Sequence, residues 1–207
     1  HRLFAFPEGV TGQFNHPWGG FTLWDIIMPL FIFMCGAAVP FALGKRLKDG
    51  KPTVAYWKHV LWRVALLWAL GLMAQGRIFS LDPLRISPFN NTLQSIASGY
   101  LIAAFVLLIP SRKIQAAVPI ALAGVYALLM HFLGDYTKTG NFAQQVENGV
   151  VTTLMPSGTQ ALKLADPGYT WWLTILMFGA MTLCGMNCTQ VLKSGWTPWR
   201  KAATLGV

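Results

Sequence analysis

Hydrophobic positions in this chain gather into five long stretches, and the charged positions fall mostly between them. A bilayer core about 30 Å thick takes a helix of about 20 predominantly apolar residues, because every backbone N–H and C=O must be satisfied within the segment. Read at that length, the pattern predicts spans at residues 21–43, 56–76, 91–109, 114–133 and 171–192. The first is uncharged after Asp25 and holds Pro29 and Pro40, which predict bends or ends. The second contains Arg63, and the third opens on the polar Asn91, Thr92, Gln94 and Ser95. Residues 196–207 predict the start of a sixth helix, with Pro198 in its first turn. The expected fold class is therefore all-α: a polytopic helical membrane protein with five complete transmembrane helices and the start of a sixth.

Composition supports that reading. Of 207 residues, 54% are hydrophobic and 11% charged, with a mean hydropathy of +0.48, whereas soluble domains carry about 25% charged residues. Sixteen Lys and Arg against seven Asp and Glu give a net charge of +9, and their placement explains the excess. Ten of the basic residues (Lys45, Arg46, Lys48, Lys51, Lys58, Arg112, Lys113, Lys193, Arg200 and Lys201) lie on one side of the predicted alternation, and five (Arg2, Arg77, Arg85, Lys138 and Lys163) on the other. The positive-inside rule makes the first set cytoplasmic and the N-terminal segment external, so the charge reads as topology and a nucleic-acid partner is not expected. An external start implies an earlier span or a signal peptide before His1. The expected organisation is one transmembrane domain over 1–207, incomplete at both ends, with an external loop at 134–170 that holds a short helix near residues 143–151. Cys35, Cys184 and Cys188 sit in apolar stretches, without the spacing of a disulfide framework or a zinc site, so no metal is expected.

Polar groups inside a membrane segment are costly, which makes them the first functional candidates. Arg63 either snorkels to the cytoplasmic interface or serves a buried role. His131 lies at the external end of the fourth span, and Asn187 and Gln190 suit bridges between helices. Gly71, Gly99, Gly179 and Gly185 are read as close helix contacts. Six tryptophans, Trp18, Trp24, Trp57, Trp171, Trp172 and Trp196, fall at span ends like an aromatic belt. His16 precedes Pro17, Trp18 and two glycines just outside the first span. An imidazole on such a constrained turn titrates near neutral pH and is suited to accept or relay a proton, with Asp25 available to fix its tautomer. The plainer alternative is a solvated interfacial histidine and an aspartate that favours a helix N-terminus.

The run His16, Trp18, Gly20, Thr22, Asp25, Pro29, Phe31, Phe33, Gly36 resembles the W-x-G-x-T-x-x-D-x-x-x-P-x-F-x-F-x-x-G signature, with its preceding His, of the heparan-alpha-glucosaminide N-acetyltransferase-like membrane proteins and their bacterial relatives. A second block, with Pro88, Leu93, Gln94, Ile96 and Tyr100, is similar to that family's P-G-V-L-Q-R-I-x-x-x-Y element, although Ser95 stands where the family has Arg. The resemblance implies an integral membrane acyltransferase of about ten or eleven spans. Such an enzyme takes an acetyl group from cytoplasmic acetyl-CoA, its co-substrate, and delivers it to an amino sugar or other glycan acceptor on the external side. It implies His16 as the catalytic residue. Asp25 is expected to orient that imidazole, and Trp18, Gln94 and Arg63 are the candidate substrate-binding residues. It assigns no residue to the cofactor. The setting it implies is a bacterial inner membrane, with membrane lipid as a partner and room for a homodimer. The rival expectation is a multi-span transporter or flippase for a sugar or lipid-linked substrate, with Asp25, Arg63 and His131 lining the pathway. A third is a membrane scaffold that binds through the 134–170 loop.

Overall fold

A computed structural model describes residues 24–48, 50–74, 89, 91–135, 137, 140–154, 157, 160 and 171–206. Seven α-helices account for most of them. Helix α1 (Trp24–Ala42) leads through a 3₁₀ turn (Gly44–Arg46) into a two-residue hairpin, β1 (Leu47–Lys48) against β2 (Lys51–Pro52), with Leu47 opposite Pro52 and Gly50 in the left-handed region at φ +73°. Helix α2 (Val54–Ala74) begins beside Thr53, whose hydroxyl accepts the Tyr56 N–H at 3.2 Å. Asn91 caps α3 (Thr92–Leu107) by accepting the Leu93 and Gln94 N–H groups, which satisfies two donors that the first helical turn leaves open. Helix α4 (Arg112–Leu133) is followed by α5 (Phe142–Leu154), whose first turn is closed by the Gln144 N–H donating to Asn141 Oδ1 at 2.8 Å. A 3₁₀ turn (Trp172–Thr174) feeds α6 (Ile175–Leu192), and α7 (Pro198–Leu205) ends at Gly206 with φ +76°.

The helices fall within a few residues of the predicted spans, because in lipid an uninterrupted apolar stretch has no alternative to the helix. Pro29 and Pro40 both lie inside α1, Pro40 two residues before its end, and Pro119 lies inside α4. Among the described residues, three segments are long and apolar enough to cross a membrane: Asp25–Arg46, Arg112–Leu133 and Trp172–Leu192. The structure is thus that of a helical membrane protein, while five complete crossings are more than it establishes. Helix α2 has 21 residues but carries Lys58 and Arg63. Helix α3 has 16 residues, roughly 24 Å at 1.5 Å per residue, short of a bilayer core of about 30 Å.

Helix α6 is the hub, packed against α1, α3 and α4, while α2 packs on α3. Small residues set these contacts. A Cβ at Gly36 of α1 would overlap the Thr182 carbonyl of α6, and one at Gly185 of α6 would overlap the Phe33 carbonyl of α1, so the two backbones touch at both positions. Gly99 lies against Thr182 and Gly179 against Ile102, while a Cβ at Gly71 would come to 2.9 Å from Asn91 Oδ1. All four glycines read from the sequence as helix contacts are helix contacts. Side-chain-to-backbone hydrogen bonds complete the joints: Thr189 Oγ1 donates to Ala37 O at 2.9 Å, Asn187 Nδ2 to Gln115 O at 3.2 Å, and Tyr56 OH to Ala104 O at 2.6 Å.

The pairings also fix direction. Phe33 and Ala37 meet Gly185 and Thr189 in the same order, so α1 and α6 are parallel; Gly71 meets Asn91 while Tyr56 meets Ala104, so α2 and α3 are antiparallel. Phe89, ahead of α3, stacks on Trp172, and Gly99 meets Thr182, which makes α3 parallel to α6. Gln115 at the start of α4 touches Asn187 near the end of α6. Helices α1, α3 and α6 therefore run one way and α2 and α4 the other. The basic segments around Arg46, Arg112 and Lys193 gather at one end of the bundle.

Candidate functional site

His16 and Trp18 lie outside the described residues. Asp25 stands half-buried in the first turn of α1, at the end of the bundle opposite the basic segments. His131 is at that same end, exposed in the last turn of α4 with its ring edge-on to Phe132 at 5.1 Å.

Arg63 and Gln94 belong to the interface between α2 and α3. Arg63 does not extend away from the bundle: its guanidinium carbon lies 5.1 Å from the centre of the Tyr100 ring, a cation–π contact. Cys35 of α1 and His59 of α2 lie within electrostatic reach of that guanidinium. Among the described residues no carboxylate pairs with Arg63. The Tyr100 side chain is 1% exposed, and its hydroxyl has no hydrogen-bond partner among the described residues. A buried hydroxyl left this way is uncommon enough to require an explanation, and a cation inside an apolar bundle requires one too. Together they form a donor pair, one charged and one neutral, from two neighbouring helices.

Gln94 is fully buried six residues before Tyr100, about 9 Å away along the helix; its Cγ would lie 3.0 Å from a Cβ at Gly71. It lies on the same interface as the donor pair, one and a half turns toward the opposite end. Asp25 is ten residues from Cys35 in α1, roughly 15 Å along the axis. The structure brings Arg63 to Tyr100 and leaves Asp25 at a different level. Tyr100 is the residue whose role sequence reasoning missed, although it stood in the second block; its signal is a large polar aromatic among the small Ala97, Ser98, Gly99, Ala103 and Ala104.

A second polar cluster caps the opposite end. Asn141 ahead of α5 and Gln144 and Glu147 within it are buried, and α5 packs against the 3₁₀ turn before α6. Trp171 Nε1 donates to Gln144 Oε1 at 2.8 Å, the Trp172 N–H donates to Glu147 Oε2 at 3.1 Å, and Gln144 Nε2 donates to Asn148 Oδ1 at 2.8 Å. The Trp172 ring stacks on Phe89 at 5.2 Å, and Phe89 in turn meets Trp68 at 6.0 Å. The short helix expected near residues 143–151 thus exists and is fastened by two polar side chains and two tryptophans. Ahead of it the Asp135 carboxylate accepts from the Thr137 hydroxyl and N–H, and those bonds hold it below the usual carboxylate range.

Set against known proteins, the chain matches no family model and no curated sequence.

Proposed function

We propose that this protein is an integral membrane acyltransferase that moves an acetyl group from cytoplasmic acetyl-CoA to an amino sugar or other glycan acceptor on the external side. The observation that carries the reading is the Arg63–Tyr100 pair: among the described residues, a guanidinium without a carboxylate partner beside a buried hydroxyl without a hydrogen-bond partner, with Tyr100 in the second of the two blocks that resemble the acetyltransferases. An anionic acyl donor entering from the basic end would meet a cation and a hydroxyl donor inside an apolar surround, where such interactions are strongest. In the transfer the acceptor nitrogen or oxygen forms a bond to the acetyl carbon, the carbon–sulfur bond breaks, and the acceptor's proton leaves through His16. Asp25, at the opposite end from the basic segments, orients that imidazole, and Trp18 and Gln94 contact substrate. The basic segments face the cytoplasm of a bacterial inner membrane.

The test is acetyl transfer from radiolabelled acetyl-CoA to a panel of amino sugars by the purified membrane-embedded protein. His16→Ala is expected to lower the rate by about a hundredfold or more, and Arg63→Gln to raise KM for acetyl-CoA more than it lowers kcat. Transfer to none of the panel, or a His16→Ala protein within a few-fold of the parent beside an inactive His131→Ala protein, would sink the assignment. Sugar uptake into proteoliposomes without acetylation would point instead to the transporter.

A further inference from the structure

The outer face of α2, away from α3, carries a groove of about 830 Å³ lined by Arg46, Lys58, His59, Leu61, Trp62 and Ala65. Its chemistry is graded along the helix. Lys58 and His59 lie in the turns next to the basic end, with Arg46 of the 3₁₀ turn beside them, and Leu61, Trp62 and Ala65 continue the same face inward. Tyr56 and Val60 are buried on the α3 side, so this face is separate from the Arg63–Tyr100 interface.

Arg46 is anchored from both directions. Its guanidinium donates to the Ala42 carbonyl at the end of α1, and its own carbonyl accepts from Thr53 Oγ1 at 2.9 Å, the same hydroxyl that accepts the Tyr56 N–H at the start of α2. The hairpin therefore holds the Arg46 backbone against the first turn of α2. His59 lies within electrostatic reach of Arg46. Over residues 44–63 the chain has six Lys and Arg (Lys45, Arg46, Lys48, Lys51, Lys58 and Arg63) against one acid, Asp49. The field at this end of the groove is thus strongly positive. Further inward, Leu61 is 59% and Trp62 69% exposed, which leaves an apolar wall next to that charge.

A cationic mouth that continues into an apolar wall along one helix face matches a molecule with an anionic head and a hydrocarbon chain. We propose that this groove binds an anionic glycerophospholipid: Arg46, Lys58 and His59 hold the phosphodiester, Trp62 sits at the level of the glycerol, and an acyl chain lies along Leu61 and Ala65. Basic pockets beside transmembrane helices select anionic headgroups over zwitterionic ones because each added cation strengthens the attraction at a low-dielectric boundary. The site would pin the hairpin and the start of α2 to the membrane surface.

The experiment counts the lipids that the purified protein retains from an equal mixture of phosphatidylglycerol and phosphatidylcholine, read by native mass spectrometry. The parent is expected to retain phosphatidylglycerol preferentially. Lys58→Gln, on an exposed side chain that the fold does not use, is expected to lower that preference about fivefold, and Arg46→Gln to lower it by a similar factor. Trp62→Ala is expected to weaken retention of both lipids alike. Lys201→Gln, at the same end of the bundle but outside the groove, is expected to leave the preference unchanged, and neither inorganic phosphate nor coenzyme A is expected to displace the bound lipid. The proposal is overturned by an equal loss in Lys201→Gln, which would make the attraction general to the basic end. It is likewise overturned by stoichiometric displacement with coenzyme A, which would give the groove to the acyl donor, or by a parent that does not discriminate between the lipids.

Discussion

Helices α4 and α6 are both long, apolar and able to cross a membrane, yet 44% of the most apolar stretch of the 172–192 unit is buried in the bundle, against 6% for α4. Both pass as membrane spans, α4 being the more apolar of the two. What sets their burial is side-chain size and polarity at helix spacing. Helix α6 presents Gly179, Thr182, Gly185 and Thr189 to its neighbours, whereas α4 turns Ile120, Val125, Leu128 and Phe132 outward. In lipid there is little hydrophobic gain from burying a leucine against another helix, because the lipid tails are equally apolar. Close backbone approach and side-chain-to-backbone hydrogen bonds decide which apolar helix becomes the centre.

The largest expected effect comes from breaking that close approach. Gly185→Val would drive a branched side chain into the Phe33 carbonyl, and the contact is to backbone on both sides, so no side chain can move out of the way. We expect a loss of about 3 kcal/mol, the upper range for overpacking, measured by SDS-titrated unfolding. Gly36→Val should cost about as much. Because both positions line one contact, the double variant should lose much less than the sum. Near-parental stability of either single variant would mean that α1 and α6 do not touch at these carbonyls.

These contacts also show what was legible beforehand. The helices could be read because lipid permits an apolar stretch no other regular structure, and Gly71, Gly99, Gly179 and Gly185 could be read as contacts because a glycine inside a span has few other uses. Gly36 was harder: it stood in a motif, and its partner Thr182 is 146 residues away. The same distance problem hid the burial of Gln144 and Glu147, since the groups that satisfy them belong to Trp171 and Trp172. For Arg63 both outcomes were open on sequence alone. Its choice depends on Tyr100, which α2 meets only through antiparallel packing with α3. His16 and Trp18 fall outside the described residues, so the catalytic assignment still rests on the resemblance.

A smaller effect sharpens the comparison from the joint between the two helices. Asn187 of α6 donates to the Gln115 carbonyl of α4 at 3.2 Å. Asn187→Leu keeps the branched outline of the side chain and removes the donor, and the expected cost is about 0.6 kcal/mol, the average for interhelical hydrogen bonds in a membrane bundle. A loss several times larger would make α4 depend on polar attachment more than its exposed surface suggests.

The smallest effect is expected at Gly124 in α4, the counterpart of Gly185. A Cβ there meets nothing within 4 Å, and Gly124 lies on the rim of an apolar groove of about 820 Å³ formed with α1 and α6. Gly124→Leu should therefore change stability by no more than about 0.5 kcal/mol, as for a substitution away from any packed feature. One glycine-to-large-residue change is then severe in α6 and silent in α4, although both helices are long and apolar enough to cross a bilayer. The pair of measurements separates size at the interface from hydropathy as the cause of burial. If Gly124→Leu proved as damaging as Gly185→Val, a protein neighbour would have to lie against α4, and its outward face could not be lipid-facing.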